Sequence, residues 1–209
     1  MSERQKIRVL CADDHPLFIE GIARIIEHQI DMTLVGTVST GEGSIELYRL
    51  TQPDVMLMDL RLPDIDGINA LIAVRREFPD ARVMMLTTFE GDVAVQRALA
   101  AGARGYMLKT APPQDLLAAI RAIYSGRKHI PAEIASNLAQ NIGVESLSER
   151  ETEVLRALAE GHRNRDIGFQ LSISEDTVKG HVHSILDKLG AKDRTQAVSI
   201  GVRRGIISL

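Results

Sequence analysis

The chain has 209 residues and a formal net charge of −3. Of its residues 44% are hydrophobic, 25% are charged, and one is a cysteine. That composition suits one or two ordinary globular domains and excludes a disordered chain, a disulfide scaffold and a Cys-rich zinc site. No apolar run reaches the ~20 residues a membrane helix needs. The absence of Trp and the 3% aromatic content exclude an aromatic stacking platform for single strands.

Reading from the first residue, MSERQKIRVL holds no apolar stretch of signal-peptide length and leads straight into a strand-like run. Short apolar runs then alternate with helical patterns to about residue 125. The predicted strands are Ile7–Ala12, Met32–Thr37, Val55–Asp59, Arg82–Thr87 and Gly105–Leu108. Their continuous apolar character suits buried parallel strands. Between them lie predicted helices Pro16–Glu27, Gly41–Leu50, Gly67–Glu77, Gly91–Ala101 and Pro113–Ser125. Pro16 and Pro113 stand where a first helical turn tolerates proline, and Gly102 follows a helix as a stop. Five strand–helix pairs predict an α/β doubly wound five-stranded parallel sheet.

After Ser125 the pattern changes. Gly126–His129 reads as a polar break, Pro131–Asn141 as one short helix, and Asn141–Ser146 as linker. Ser148 and Glu151 make an S-x-x-E capping box that opens a helix to about Glu160, closed by Gly161. Asn164 is expected to cap a second helix to about Gln170. Ser174 is expected to cap a third to about Leu189, stopped by Gly190, and a fourth runs from about Arg194 to Arg204. The expectation is a small all-α four-helix domain with a helix–turn–helix. The domains predicted are therefore 1–125, a linker 126–146, and 147–209.

Charge follows the same division. Residues 1–146 carry 15 basic and 19 acidic side chains, whereas residues 177–209 carry six basic and two acidic. A basic end on an acidic chain suggests a polyanion partner, although a solvated charged surface explains it about as well.

In an open α/β sheet, chemistry gathers at the carboxyl ends of the strands. The first strand runs into Asp13 and Asp14, and the third ends at Asp59. Neighbouring strands in a 2-1-3-4-5 order bring these carboxylates together, where their repulsion calls for a cation, and oxygen ligands suit Mg²⁺. Thr87 ends the fourth strand and Lys109 follows the fifth. A hydroxyl and an ammonium at that rim would stabilise a phosphoryl group. Taken singly, each has a dull alternative: a turn cap, a strand filler, a solvated charge.

In the third C-terminal helix Val178, Val182, Ile185, Leu186 and Leu189 share one face. The opposite face centres on Gly180, with His183, Ser184, Asp187, Asp176 and Thr177 around it and Lys179 and Lys188 flanking. A glycine inside a helix costs about 1 kcal/mol relative to alanine. Close approach to base edges in a major groove would offset that cost; a merely tolerated glycine is the alternative.

The segments ADDHP, MLMDLRLPDIDG, MLTTF and GARGYMLK resemble a flavodoxin-like receiver domain of response regulators. LSERETEVLRALAEGHRNRDIGFQLSISEDTVKGHVHSILDKLGAKDRTQAV resembles the LuxR-type helix–turn–helix, with Thr152 where an apolar residue is expected. The whole resembles a NarL/FixJ-type two-component response regulator, apart from the linker.

The resemblance implies a phosphorylation-dependent transcription regulator rather than an enzyme. Asp59 would accept a phosphoryl group from a sensor histidine kinase. Mg²⁺ would be held by Asp13, Asp14, Asp59 and the backbone carbonyl of Arg61, with Thr87 and Lys109 on the phosphoryl oxygens. Tyr106 would be the switch residue, turning inward as Thr87 moves. Lys179, Gly180, His183 and Ser184 would contact DNA, and Lys188, Arg163 and Lys192 are candidates for phosphates. The partners implied are double-stranded promoter DNA, a second copy when phosphorylated, and RNA polymerase, in the cytoplasm and with no membrane.

Three departures stand out. Thr110 follows Lys109 where many receivers have a cis proline. Arg61 and Phe89 lie two residues beyond Asp59 and Thr87 and are bulky enough to shade an attacking water, which implies slow self-dephosphorylation. His183 stands where a lysine is often found, so phosphate affinity would be weaker and pH-sensitive. Two other readings remain open at this point, a Mg²⁺-dependent aspartyl-phosphate hydrolase and a constitutive DNA binder. No carboxylate two residues after Asp59 supports the first, and the intact set of acids, Thr87 and Lys109 weighs against the second.

Overall fold

Five parallel strands stand side by side in the order β2-β1-β3-β4-β5 in the computed structural model, which describes residues 6–88, 91–132, 134–136 and 146–207. The strands are β1 (Ile7–Ala12), β2 (Met32–Val38), β3 (Val55–Asp59), β4 (Val83–Thr87) and β5 (Gly105–Leu108). Between and after them run α1 (Pro16–Glu27), α2 (Gly41–Thr51), α3 (Gly67–Glu77), α4 (Asp92–Ala100) and α5 (Pro113–Tyr124). The order reverses between β1 and β3, so the rim above those two strands is the crevice where an α/β sheet binds its ligands. Every residue of β3 and β4 is buried, as expected for strands covered on both faces. Val9, Cys11, Val55, Leu57, Met84 and Leu86 form the heart of the core, with Ile22 and Ile26 of α1 and Ile120 and Ile123 of α5 packed against them.

The described residues fall into two units. One holds residues 6–88 and those of 96–135; the other holds residues 91–95, 136 and 146–207. In the second, helices α6 (Glu149–Ala159), α7 (Asn164–Leu171), α8 (Glu175–Leu189) and α9 (Arg194–Arg203) enclose a core of Val154, Leu155, Leu158, Ile167, Val178, Ile185 and Ala197. Ser148 and Glu151 form the expected reciprocal capping box on α6. Ser174 caps α8 by accepting from the Thr177 N–H, and Gly190 ends it in the left-handed region at φ 60°. Gly168 is required where α7 meets the turn, because a Cβ there would lie 2.8 Å from the Ile173 carbonyl oxygen.

Two local expectations need correction. Asn164 does not cap α7. Arg163 takes the cap position without a side-chain bond, and the Asn164 side-chain oxygen instead accepts from Arg194 at 3.2 Å. The polar break after α5 is not structureless either. His129 pairs in parallel with Gly105; its N–H donates to the Arg104 carbonyl and its carbonyl accepts from the Tyr106 N–H, both at 3.0 Å. The chain after α5 thus covers the open edge of β5. Of the helix expected over 131–141, residues 132 and 134–136 are helical; the rest of it, and most of the expected linker 141–146, lies outside the described residues, as does Phe89.

Candidate functional site

The strand ends place their polar residues where hydrophobic side chains would otherwise be. β1 leads into Asp13, which is fully buried, and β3 ends in Asp59, 3% exposed. β4 ends in buried Thr87, whose carbonyl accepts from the Lys109 N–H at 2.7 Å. Lys109 is thereby set beside the acids: its Nζ lies 2.7 Å from both Asp59 Oδ2 and Asp13 Oδ2. Buried carboxylates are tolerated here because a nearly buried ammonium stands between them. The loop after β3 is held by its own bonds. Gly67 sits so close to the Asp59 carbonyl oxygen that a Cβ would lie 2.0 Å from it, and Asp66 caps α3 through the Asn69 N–H.

Burial raises the Asp59 carboxyl above the usual carboxylate range, against the pull of Lys109 and of a backbone hydrogen bond from Arg61. The Lys109 ammonium is also raised: burial pushes it down, and its bonds to Asp13 and Asp59 outweigh that. The two acids thus hold the Lys109 charge in place, while at Asp59 burial outweighs the pull of Lys109. Tyr106 is completely buried. Its hydroxyl is pushed up to about 12 by burial, against a hydrogen bond with Thr87. The aromatic side chain is therefore inward rather than lying at the sheet edge.

The acidic cluster fits a cation. Oxygens of Asp13, Asp14 and Asp59 lie with His15 Nδ1 within 4.8 Å of one another. Asp13 Oδ2 is buried and has no hydrogen bond beyond its ion pair to Lys109, so the pocket holds acceptor capacity that a hard cation would take up. His15 was not anticipated. Its Nδ1 stands 2.7 Å from Asp14, 3.1 Å from Asp13 and 3.4 Å from Lys109 Nζ; its place directly after two acids was the available signal. Asp64 was missed as well. It accepts from the N–H groups of Gly41 and Glu42 at 2.6 and 2.8 Å, tying the loop after Asp59 to the start of α2. Those two bonds hold its carboxyl down at about 2. No peptide bond among the described residues is cis, so Thr110 follows Lys109 through a trans bond.

On α8 the expected DNA contacts divide. Lys179, Gly180 and His183 are exposed, and nothing lies within 4 Å of where a Gly180 Cβ would be. Lys179 pairs with Asp176 at 2.9 Å. His183 Nε2 lies 3.4 Å from Asp187, which accounts for an acid on that face. Arg163 and Lys192 are exposed. Ser184 and Lys188 are different: their side chains turn to Glu151, at 2.5 and 2.9 Å. Both residues, expected as DNA contacts, are thus turned toward the buried Glu151 carboxylate, which needs their donors.

Residues 9–121 match the response regulator receiver domain, and residues 145–200 match the bacterial regulatory proteins of the luxR family. The chain belongs to the response regulators. It is 43% identical over 215 residues to the uncharacterized transcriptional regulatory protein YxjL of Bacillus subtilis, covering 98% of this chain and 99% of that one. Among solved structures it resembles RcsB of Salmonella enterica serovar Typhimurium bound to a promoter in the presence of the phosphomimetic BeF3−. That likeness has 28% identity and a TM-score of 0.73, over 94% of this chain and 98% of that one. A structure of two RcsB dimers on two parallel DNAs is similar at 27% identity and a TM-score of 0.70, over 95% and 99%. This response regulator is thus a two-component transcriptional regulator with a luxR-type DNA-binding part, not an enzyme. Among the described residues no helix is long and apolar enough to cross a membrane.

Proposed function

We propose that Asp59 is the phosphoacceptor and that its phosphorylation switches promoter binding. A carboxylate oxygen of Asp59 attacks the phosphorus of a sensor kinase's phosphohistidine; the O–P bond forms as the N–P bond breaks, and the imidazole nitrogen leaves. Little covalent chemistry is asked of the protein, so positioning and charge neutralisation supply most of the rate. Lys109, 2.7 Å from Asp59 Oδ2, is placed to follow the charge onto the phosphoryl oxygens. Thr87 supplies a hydroxyl to one of them, and Tyr106, bonded to Thr87, is the residue that feels the change. Mg²⁺ would be held by Asp13, Asp14, Asp59 and the Arg61 carbonyl, and would neutralise charge on the transferring group.

The division read from the sequence is kept as the proposal, a receiver over 1–125, a linker over 126–146 and a DNA-binding domain over 147–209, with the first part of that linker, through His129, stitched to β5 as part of the receiver's sheet. In the last, Lys179, Gly180 and His183 face base edges while Arg163 and Lys192 meet phosphates. The partners are a sensor histidine kinase, promoter duplex, a second copy after phosphorylation, and RNA polymerase, in the cytoplasm. RcsB, in its dimeric DNA-bound and phosphomimetic forms, lends support to the dimer and to the coupling.

The observation that carries the reading is the convergence of Asp13, Asp59 and Lys109 at the ends of three strands. Incubation with Mg²⁺ and a small acyl phosphate tests it. Intact mass should show one added phosphoryl group, lost in Asp59→Asn, and duplex affinity should rise only in the phosphorylated sample. A phosphoryl group that persists in Asp59→Asn would defeat it.

A further inference from the structure

Glu151 does more than a capping box asks. A capping box needs only the exchange between Ser148 and Glu151, and it works on an exposed helix end. Here Glu151 is 5% exposed and collects two further donors from a helix 33 and 37 residues away. Oε1 accepts from Ser184 Oγ at 2.5 Å. Oε2 accepts from the Ser148 N–H at 2.7 Å and from Lys188 Nζ at 2.9 Å. Burial pushes the carboxyl up, but the bonds from Ser184, Ser148 and Lys188 outweigh it and hold it at about 2. The group stays ionised, and an ionised buried group fixes its partners firmly.

Ser184 and Lys188 are four residues apart on α8, so they stack on one shoulder of the helix, between the core stripe of Val178 and Ile185 and the open face at Gly180. Two bonds on one shoulder resist rotation about the helix axis. Side-chain atoms lie about 5–6 Å from that axis. A turn of about 20° therefore moves them by roughly 2 Å, which breaks both bonds and carries Lys179 and His183 by a similar distance. Base-edge contacts do not survive such a displacement.

We infer that Glu151 is a positioning residue for DNA reading: through Ser184 and Lys188 it sets the rotation of α8 that presents Lys179, Gly180 and His183. The inference rests on the reading of α8 as the DNA-contacting helix. It assigns Ser184 and Lys188 to the support of that helix rather than to the duplex.

The test uses the full chain with two duplexes, one enriched from a random pool by the wild-type protein and one scrambled. Glu151→Gln, Ser184→Ala and Lys188→Met are compared at a temperature where circular dichroism shows each folded. Glu151→Gln is expected to lose at least tenfold in affinity for the enriched duplex and less than twofold for the scrambled one. Lys188→Met should show the same split with the wild-type salt dependence. Ser184→Ala should show a smaller split of the same sign, and it carries the test where Glu151→Gln does not fold. Equal losses on both duplexes, or no loss, would overturn the inference. So would a salt slope lowered by about one in Lys188→Met, since that is the mark of a lost phosphate contact. A wild-type protein that enriches no duplex would instead defeat the reading of α8, and the inference with it.

Discussion

Gly180→Ala separates what α8 needs for its own stability from what it needs for DNA. Gly180 sits inside a 15-residue helix, and nothing lies within 4 Å of an added Cβ. No contact is lost and none is strained. The substitution should therefore recover the full helix-propensity difference, about 1 kcal/mol. For a folding unit of this size that corresponds to a rise of about 4–8 °C in Tm. A neutral protein-only view would stop there. If the missing side chain is what lets α8 approach base edges, the added methyl must push the helix back, and affinity for duplex should fall at least tenfold, by about 1.4 kcal/mol or more. Thermal unfolding of the C-terminal helices and a fluorescence titration of an enriched duplex measure the two effects on one sample. A more stable variant that binds as well as wild type would refute the argument and leave Gly180 as a tolerated surface glycine. A less stable variant would refute the open surroundings on which the magnitude rests.

Lys109→Ala leaves Asp13 and Asp59 buried without their ammonium, and should cost about 3–5 kcal/mol in urea unfolding, with part of the loss restored by millimolar Mg²⁺. Lowering the pH should weaken the α6–α8 junction. Glu151 is held at about 2 against an ordinary 4.5, so its contribution is complete above about 4.5 and disappears as the pH falls toward 2; Glu151→Gln should flatten that part of the stability profile. Asp64→Ala should expose the Gly41 and Glu42 amides, seen as faster hydrogen exchange at those two positions with the β1 core amides unchanged. If the Arg61 side chain shades Asp59 from an attacking water, as its position two residues beyond Asp59 leads one to expect, Arg61→Ala should shorten the lifetime of the phosphorylated form, followed by intact mass over time; an unchanged lifetime would count against shading.

The strands were legible because their signal is local. Apolar runs such as VMLMD and VMMLT are buried on both faces, and no tertiary context was needed to read them. The acids were legible for a related reason: a carboxylate at the end of a buried run has no solvent to face, so Asp59 and Asp13 had to share a partner, and Lys109 was the cation at the same rim. The misses are long-range. A helical wheel placed Ser184 and Lys188 near the exposed face, but the wheel holds no information about Glu151 on another helix. His129 lies in a run with no strand propensity; it pairs because β5 offers an open edge. Asn164 is a good cap residue by type, yet Arg163 precedes the first helical turn, and the Asn164 side chain finds Arg194 instead.

The stitch between His129 and β5 governs where this protein can be cut. A chimera joined directly after α5, at residue 125, would strip the Tyr106 amide and the Arg104 carbonyl of their hydrogen-bond partners and leave the sheet with a raw flank open to foreign strands. A graft that keeps the parental residues through Pro131 retains the seam. Any exchange of output modules onto this scaffold should therefore place its junction beyond that proline, and shuffled libraries spliced earlier should be enriched in insoluble members.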